Sequence, residues 1–175
     1  MKFIKTKIPD VIVIEPTIFN DSRGSFQESY HIEKFKENGI SLPFVQDNIV
    51  TSTKDVLRGL HFQVKHPQGK LVRAVSGEVL DIAVDIRKES PFFGMWVGEI
   101  LSNQNQKQIY VPPGFAHGYL VLSQEATVLY KCTDIYYPED DSGIIWNDEK
   151  IGIEWGINNT ILSEKDKLLS KLVRI

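Results

Sequence analysis

KLVRAVSGEVLDIAVDIR, residues 70–87, carries the clearest fold signal in the chain. Its two halves alternate with the period of a β-strand. Gly77 and Glu78 stand between them, which predicts a hairpin. In the second half Leu80, Ile82, Val84 and Ile86 share one face, and Val79, Asp81, Ala83 and Asp85 share the other.

The same texture extends in both directions. VIVIEP at 11–16 is β-rich, and NDSRG at 20–24 supplies turn chemistry. Further short strands are expected near 95–101, 107–111, 118–122 and 126–134. Two helices are expected. HIEKFKENG at 31–39 would put Ile32 and Phe35 on one face and stop at Gly39. SEKDKLLSKLV at 163–173 reads as a short C-terminal helix. No linker or repeat interrupts the pattern, so residues 1–175 read as one domain. Many short strands at close intervals favour a mainly β sandwich, jelly roll or barrel with a few short helices.

The net charge of −3 offers no basic field for phosphate counterions, which argues against nucleic acid. A local pair of arginines could still hold a small phosphorylated ligand. Cys132 is the only cysteine, so neither an internal disulfide nor a CxxC site is available, and it reads as a small packing residue. MKFIKTKIPD lacks the apolar run of a signal peptide, and no stretch is long and apolar enough to span a bilayer. The expectation is a cytoplasmic protein with no membrane partner.

Of the four histidines, His31 opens a surface helix and His66 lies in a KHPQG turn. His61 and His117 are different, because each sits in a β-rich segment beside glycine. In LRGLHFQ, residues 57–63, strict alternation would put Arg58 and His61 on opposite faces, so the two could share a site only if Gly59 marks a bulge or twist.

PPGFAHGYL at 112–120 resembles the second motif of the cupin superfamily, small β jelly-rolls with a site in the barrel mouth. Metal-binding cupins carry a His-x-His pair in their first motif. Here His61 and His66 are five apart, an odd spacing that divides them between strand faces, and no metal site is expected. NDSRGSFQE, VQDN, LRGLHFQ, PQGKLVRAVSGEVLDIAVDIR, PPGFAHGYLVLS, LYKCTDIYYPEDDSGIIWND and ILSEKD stand in order between Asp21 and Asp166. Together they resemble the dTDP-4-dehydrorhamnose 3,5-epimerases, a branch of the cupins. The resemblance implies a cupin-type jelly-roll barrel and inversion of C3 and C5 of a dTDP-linked 4-keto-6-deoxy sugar. It implies no cofactor, since the substrate's own ketone is the electron sink, and a homodimer that exchanges N-terminal strands.

Inverting a carbon beside a ketone needs a base, an acid on the opposite face, and donors for the enolate oxygen. His61 suits the base, because imidazole changes charge near neutral pH. The family's pattern gives it Asp166 as partner, although Ser163-x-x-Asp166 also reads as a helix cap. Tyr130 suits the acid, because a phenol keeps its proton at neutral pH. Lys70 would favour the enolate, with Asp81 orienting Lys70 or His61, and His117 would complete the donors around the sugar.

Arg58 is the expected diphosphate ligand, since guanidinium forks match phosphate oxygens, and the family's pattern implies Arg23 as a second. The resemblance adds Gln46, Asn48, Glu28, Asp141 and Lys165 as ligand contacts. It also adds Tyr136 as a stacking surface for thymine, and Phe26 as a residue that reaches the partner's site. Ile49 and Val50 depart from the His-Ser that many relatives carry there, and Asp141 stands where Glu is common. Alternatives from the residues are a single-centre epimerase on a related nucleotide sugar, a metal-dependent cupin oxygenase, and a binding module without catalysis.

Overall fold

The computed structural model describes residues 1–173. Two antiparallel sheets face each other. The first contains six strands in the order β1 (Lys2–Lys5), β2 (Ile12–Glu15), β10 (Gln108–Val111), β7 (Lys70–Ser76), β12 (Glu125–Cys132) and β5 (Gln46–Thr53). The second contains five, in the order β13 (Asp141–Gly143), β6 (Leu57–Gln63), β11 (Phe115–Val121), β8 (Glu78–Asp85) and β9 (Trp96–Ser102). A separate hairpin joins β3 (Ile18–Asp21) to β4 (Gly24–Gln27). The crossing order and two-sheet packing are those of the expected mainly β jelly-roll.

The expected hairpin at Gly77 is corrected. β7 and β8 do not pair; each lies in a different sheet, and Gly77 is the corner where the chain crosses over. The corner is tight. Gly77 has φ +72, and a Cβ there would sit 2.1 Å from the Glu125 carbonyl oxygen. Alternation on both sides of a glycine is the same for a hairpin and for a sheet-to-sheet corner, so local pattern could not separate them.

Three apolar layers hold the sheets. Val13, Val72, Ala74, Ile109 and Val128 of the first sheet meet Val79, Ala83, Leu101, Phe115 and Val121 of the second. Outside the second sheet, Leu57, Leu60, Ile82, Val84 and Leu120 are covered by Ile144, Ile151 and Trp155 from the C-terminal segment. Outside the first sheet, Ile12, Ile14, Leu71 and Tyr110 are covered by Phe35 and Ile40. β8 is therefore buried on both faces, which is why it reads as an almost continuous apolar run.

Helix α1 (Ile32–Glu37) forms where expected and buries Phe35, but Ile32 remains exposed. The C-terminal helix α2 (Glu164–Lys167) is much shorter than the expected 163–173. Beyond it, the Ile145 N–H donates to the Ser170 carbonyl at 2.9 Å and Ser170 bridges to Ile144. Pairing with the barrel outcompetes the local helical pattern of DKLLSKL. Among the described residues no helix is long and apolar enough to cross a membrane.

Candidate active site

The bulge in β6 brings the expected site together. His117 of β11 pairs with His61, whereas Tyr119 pairs with Arg58, so β6 carries one residue more than β11 over this stretch. The extra residue turns Arg58 to the same side as His61, and both line one cavity. Glycines make the close approach feasible. Gly59 has φ +123, and a Cβ on it would lie 2.6 Å from Gly118 Cα.

The cavity encloses about 380 Å³ between the sheets. Gln46 and Asn48 enter from β5, Arg58 and His61 from β6, Lys70 from β7, His117 from β11 and Tyr130 from β12. The segment after Tyr136 closes it with Asp141, Lys165 and Asp166. Twelve of the fifteen residues expected at the site thus gather here, with Asp81 beneath the lining as the partner of His117.

His61 and Asp166 form the central pair. The His61 Nε2–H donates to Asp166 Oδ1 at 2.6 Å. That leaves the Nδ1 lone pair to act as a base. Asp166 is 3% exposed. Burial raises its carboxyl, but hydrogen bonds from His61, the Gly59 amide and Ser163 outweigh burial and hold the group below its ordinary value. The cap and the catalytic partner are both present. The Asp166 N–H donates to Ser163 Oγ at 3.1 Å while the carboxylate faces His61, so different atoms of one residue perform the two tasks.

A second buried pair forms the floor. The His117 Nε2–H donates to both oxygens of Asp81, at 3.0 and 2.9 Å. Of the two expected partners of Asp81, His61 is oriented by Asp166 instead, while Asp81 bonds His117 and its charge acts on Lys70. Burial pushes the Asp81 carboxyl up, against the pull of His117 and Lys70. Burial pushes the Lys70 ammonium down, with Cys132, Asp81 and Asp141 opposing it. A desolvated lysine so placed gains most when negative charge develops beside it. Burial also raises the Tyr130 phenol, as does Cys132, while Arg58 draws it back. Tyr130 therefore keeps its proton at neutral pH.

Polar residues brace the mouth. Gln46 Nε2 donates to Asn48 Oδ1 at 3.0 Å, and Gln46 Oε1 accepts the Tyr136 N–H at 2.9 Å. The Tyr136 hydroxyl donates to Asp141 Oδ2 at 2.8 Å, and Lys165 pairs with the same carboxylate. Asn48 Nδ2 reaches Cys132 Sγ at 3.6 Å; Cys132 lines the cavity and is also buried. Of the two departures, Val50 lines the cavity and Ile49 faces outward.

Three expected contacts are not brought to the cavity within one chain. Arg23 is exposed and tied to Asp21 at 2.6 Å, Phe26 stands exposed on β4, and Glu28 is paired with Lys34 at 2.6 Å. Sequence reasoning missed Tyr119, Phe62, Gln63, Gln68, Val50 and Ser163 as lining residues. Period two from His117 reaches Tyr119, and period two from Asn48 reaches Val50, so those two were findable. Among the described residues no three His, Cys, Asp or Glu side chains converge to hold an ion.

The sequence pattern of one family, dTDP-4-dehydrorhamnose 3,5-epimerase, matches residues 5–173. The chain belongs to the dTDP-4-dehydrorhamnose 3,5-epimerase family.

Among its relatives, the family's enzyme from Salmonella typhimurium is 55% identical over 95% of this chain and 92% of its own. That from the archaeon Methanothermobacter thermautotrophicus is 51% identical over 95% and 91%. A solved family structure from Legionella pneumophila, in complex with dTDP-4-keto-L-rhamnose, superposes with a TM-score of 0.95 at 48% identity, covering 98% of this chain and 92% of that one. A 3'-monoepimerase from Streptomyces bikiniensis, in complex with dTDP-quinovose, gives 0.90 at 30% identity, covering 96% and 86%. Double and single epimerases of the family thus share this barrel.

Proposed function

We propose that this chain inverts C3 and C5 of dTDP-4-dehydro-6-deoxy-D-glucose to give dTDP-4-dehydro-L-rhamnose. The observation that carries the mechanism is the His61–Asp166 pair at 2.6 Å in the same cavity as Tyr130.

Both carbons flank the C4 ketone, so loss of either hydrogen gives an enolate. His61 Nδ1 takes the proton, and the imidazolium that forms is stabilised by the buried Asp166 carboxylate. The Lys70 ammonium stabilises negative charge at the C4 oxygen, and His117, held by Asp81, forms the floor beneath the sugar. Tyr130 returns a proton from the opposite side of the ring, which inverts the centre. The same groups serve both C5 and C3, each of which flanks the ketone. Electrons go into the substrate's own carbonyl and return, so no redox cofactor enters the balance.

Arg58 holds the diphosphate, and the Gln46–Asn48 amides with Asp141 and Lys165 orient the nucleotide against Tyr136. Arg23, Phe26 and Glu28 act in a homodimer. The β3–β4 hairpin pairs with neither main sheet, and it displays Phe19 and Phe26, both more than half exposed and 6.4 Å apart between ring centroids. An apolar hairpin of this kind is suited to crossing a two-fold axis to a second copy.

Steady-state turnover with this sugar nucleotide tests the reading. Formation of dTDP-4-dehydro-L-rhamnose, trapped by a reductase specific for the L-sugar, is expected. Accumulation of a product inverted at C3 alone would move the chain to the single-centre branch.

A further inference from the structure

We propose that Tyr119 is a ligand contact, its hydroxyl donating to a phosphoryl oxygen of the bound nucleoside diphosphate beside the Arg58 guanidinium. The inference rests on the nucleotide-sugar reading of the cavity and deepens it.

Tyr119 is 4% exposed, and among the described residues its hydroxyl has no hydrogen-bond partner. A buried phenol usually finds an acceptor. Here the ring packs into the core between the sheets while the residue also lines the cavity. The other polar lining groups around it are engaged: His61 with Asp166, His117 with Asp81, Gln46 with Asn48, and Tyr136 with Asp141. Outside Lys70 and Tyr130, which the reaction itself uses, the Tyr119 O–H is a buried donor left without an acceptor.

Its neighbours say what kind of acceptor it awaits. Tyr119 is the register partner of Arg58 across the β6–β11 bulge. Arg58 Nε donates to Ser52 Oγ at 3.0 Å, which fixes the guanidinium plane and leaves its terminal nitrogens for a ligand. Ser52 stands close enough to act on the Tyr119 phenol as a donor, which lowers it, and the phenol's own O–H has no acceptor. A fixed guanidinium beside an unpaired O–H is a mixed donor set for an oxyanion that carries several acceptor lone pairs. The diphosphate is the part of the substrate with that chemistry. Carbonyl and ring oxygens offer weaker acceptors and no charge for Arg58.

Calorimetric titration of dTDP and of inorganic pyrophosphate into wild type and Tyr119→Phe tests this. The variant removes one oxygen and keeps the ring that packs the core. Affinity for both probes is expected to fall about tenfold or more, as for a lost hydrogen bond to a charged group. The melting temperature of the ligand-free variant is expected to equal or exceed that of wild type, because the unpaired hydroxyl is gone. Unchanged dTDP affinity overturns the proposal, and if turnover alone slowed, the hydroxyl would serve Tyr130 instead. A lowered ligand-free melting temperature would make the role structural and also overturn it. Wild type that fails to bind dTDP would refute the nucleotide-sugar reading itself, a result distinct from loss in the variant alone.

Discussion

One imidazole ties the account to chemistry. His61 is held by a carboxylate that is itself buried and capped, so its free nitrogen has a fixed direction. Replacing His61 with Ala is expected to lower kcat/KM by on the order of 10²–10⁴, the usual contribution of a general base. Tyr130→Phe is expected to retain exchange of the abstracted proton with solvent while losing net inversion, which NMR in D2O separates from turnover. Equal losses in both would remove the acid assignment. Asp166 makes a pH prediction. Its folded value lies below its unfolded one, so its stabilisation is complete above about pH 4, the ordinary carboxylate value, and is lost as pH falls through the folded value. Asp166→Asn is expected to flatten the acid side of the stability profile, read from urea midpoints between pH 3 and 6. At this scale residue chemistry pointed to His61, while Asp166 and Tyr130 read as a helix cap and as core until the family's motifs lifted them; with Lys70 all four line one cavity. Tyr119 lay within reach by period two from His117 but was passed over, because a tyrosine in an apolar strand reads equally as core, and it is both.

The decisive element is the bulged strand β6. Strand alternation alone separates Arg58 from His61; the site roles that the family resemblance gave both residues, together with the glycine inside LRGLHFQ, led to the expected bulge or twist. The structure places that bulge opposite a second glycine, Gly118, so two backbones touch where side chains would not fit. Gly59→Ala is expected to destabilise the fold by about 1–3 kcal/mol or more, from a positive-φ residue forced to carry a Cβ. Because it also shifts His61, activity is expected to fall by about 10²-fold in whatever protein remains folded. Denaturant midpoints and turnover of the soluble fraction check both. Two elements were read less well. The Gly77 corner looked like a hairpin because turn chemistry does not record which sheet the next strand joins. The C-terminal helix was overextended because its helical pattern competes with a bridge from Ser170 to Ile144, more than twenty residues earlier. Local propensity carries no information about such distant partners.

In the whole molecule, α1 and its loop cover part of the outer face of the first sheet, and the C-terminal segment covers part of the outer face of the second. A mainly β sandwich, jelly roll or barrel was legible because short alternating strands dominate the chain, and the family's motifs narrowed it to the jelly roll. The wrapping was not, because irregular segments such as the one bearing Trp155 have no period to read. The β3–β4 hairpin is left projecting from this body with Arg23 and Phe26 on it. A homodimer is expected by sedimentation, with Phe19 and Phe26 lost from the accessible surface on association. Phe26→Ala is expected to raise KM while His61 and Tyr130 remain in place. A protein that sediments as a monomer at full activity would refute the shared-site arrangement.

The most direct test of the central claim is solvent exchange at the sugar. Incubated with dTDP-4-dehydro-6-deoxy-D-glucose in D2O and followed by NMR, the wild-type protein is expected to place deuterium at both C3 and C5, and His61→Ala at neither on the same timescale. Tight binding of the sugar nucleotide with no deuterium at either carbon, or undiminished exchange in His61→Ala, would contradict the account.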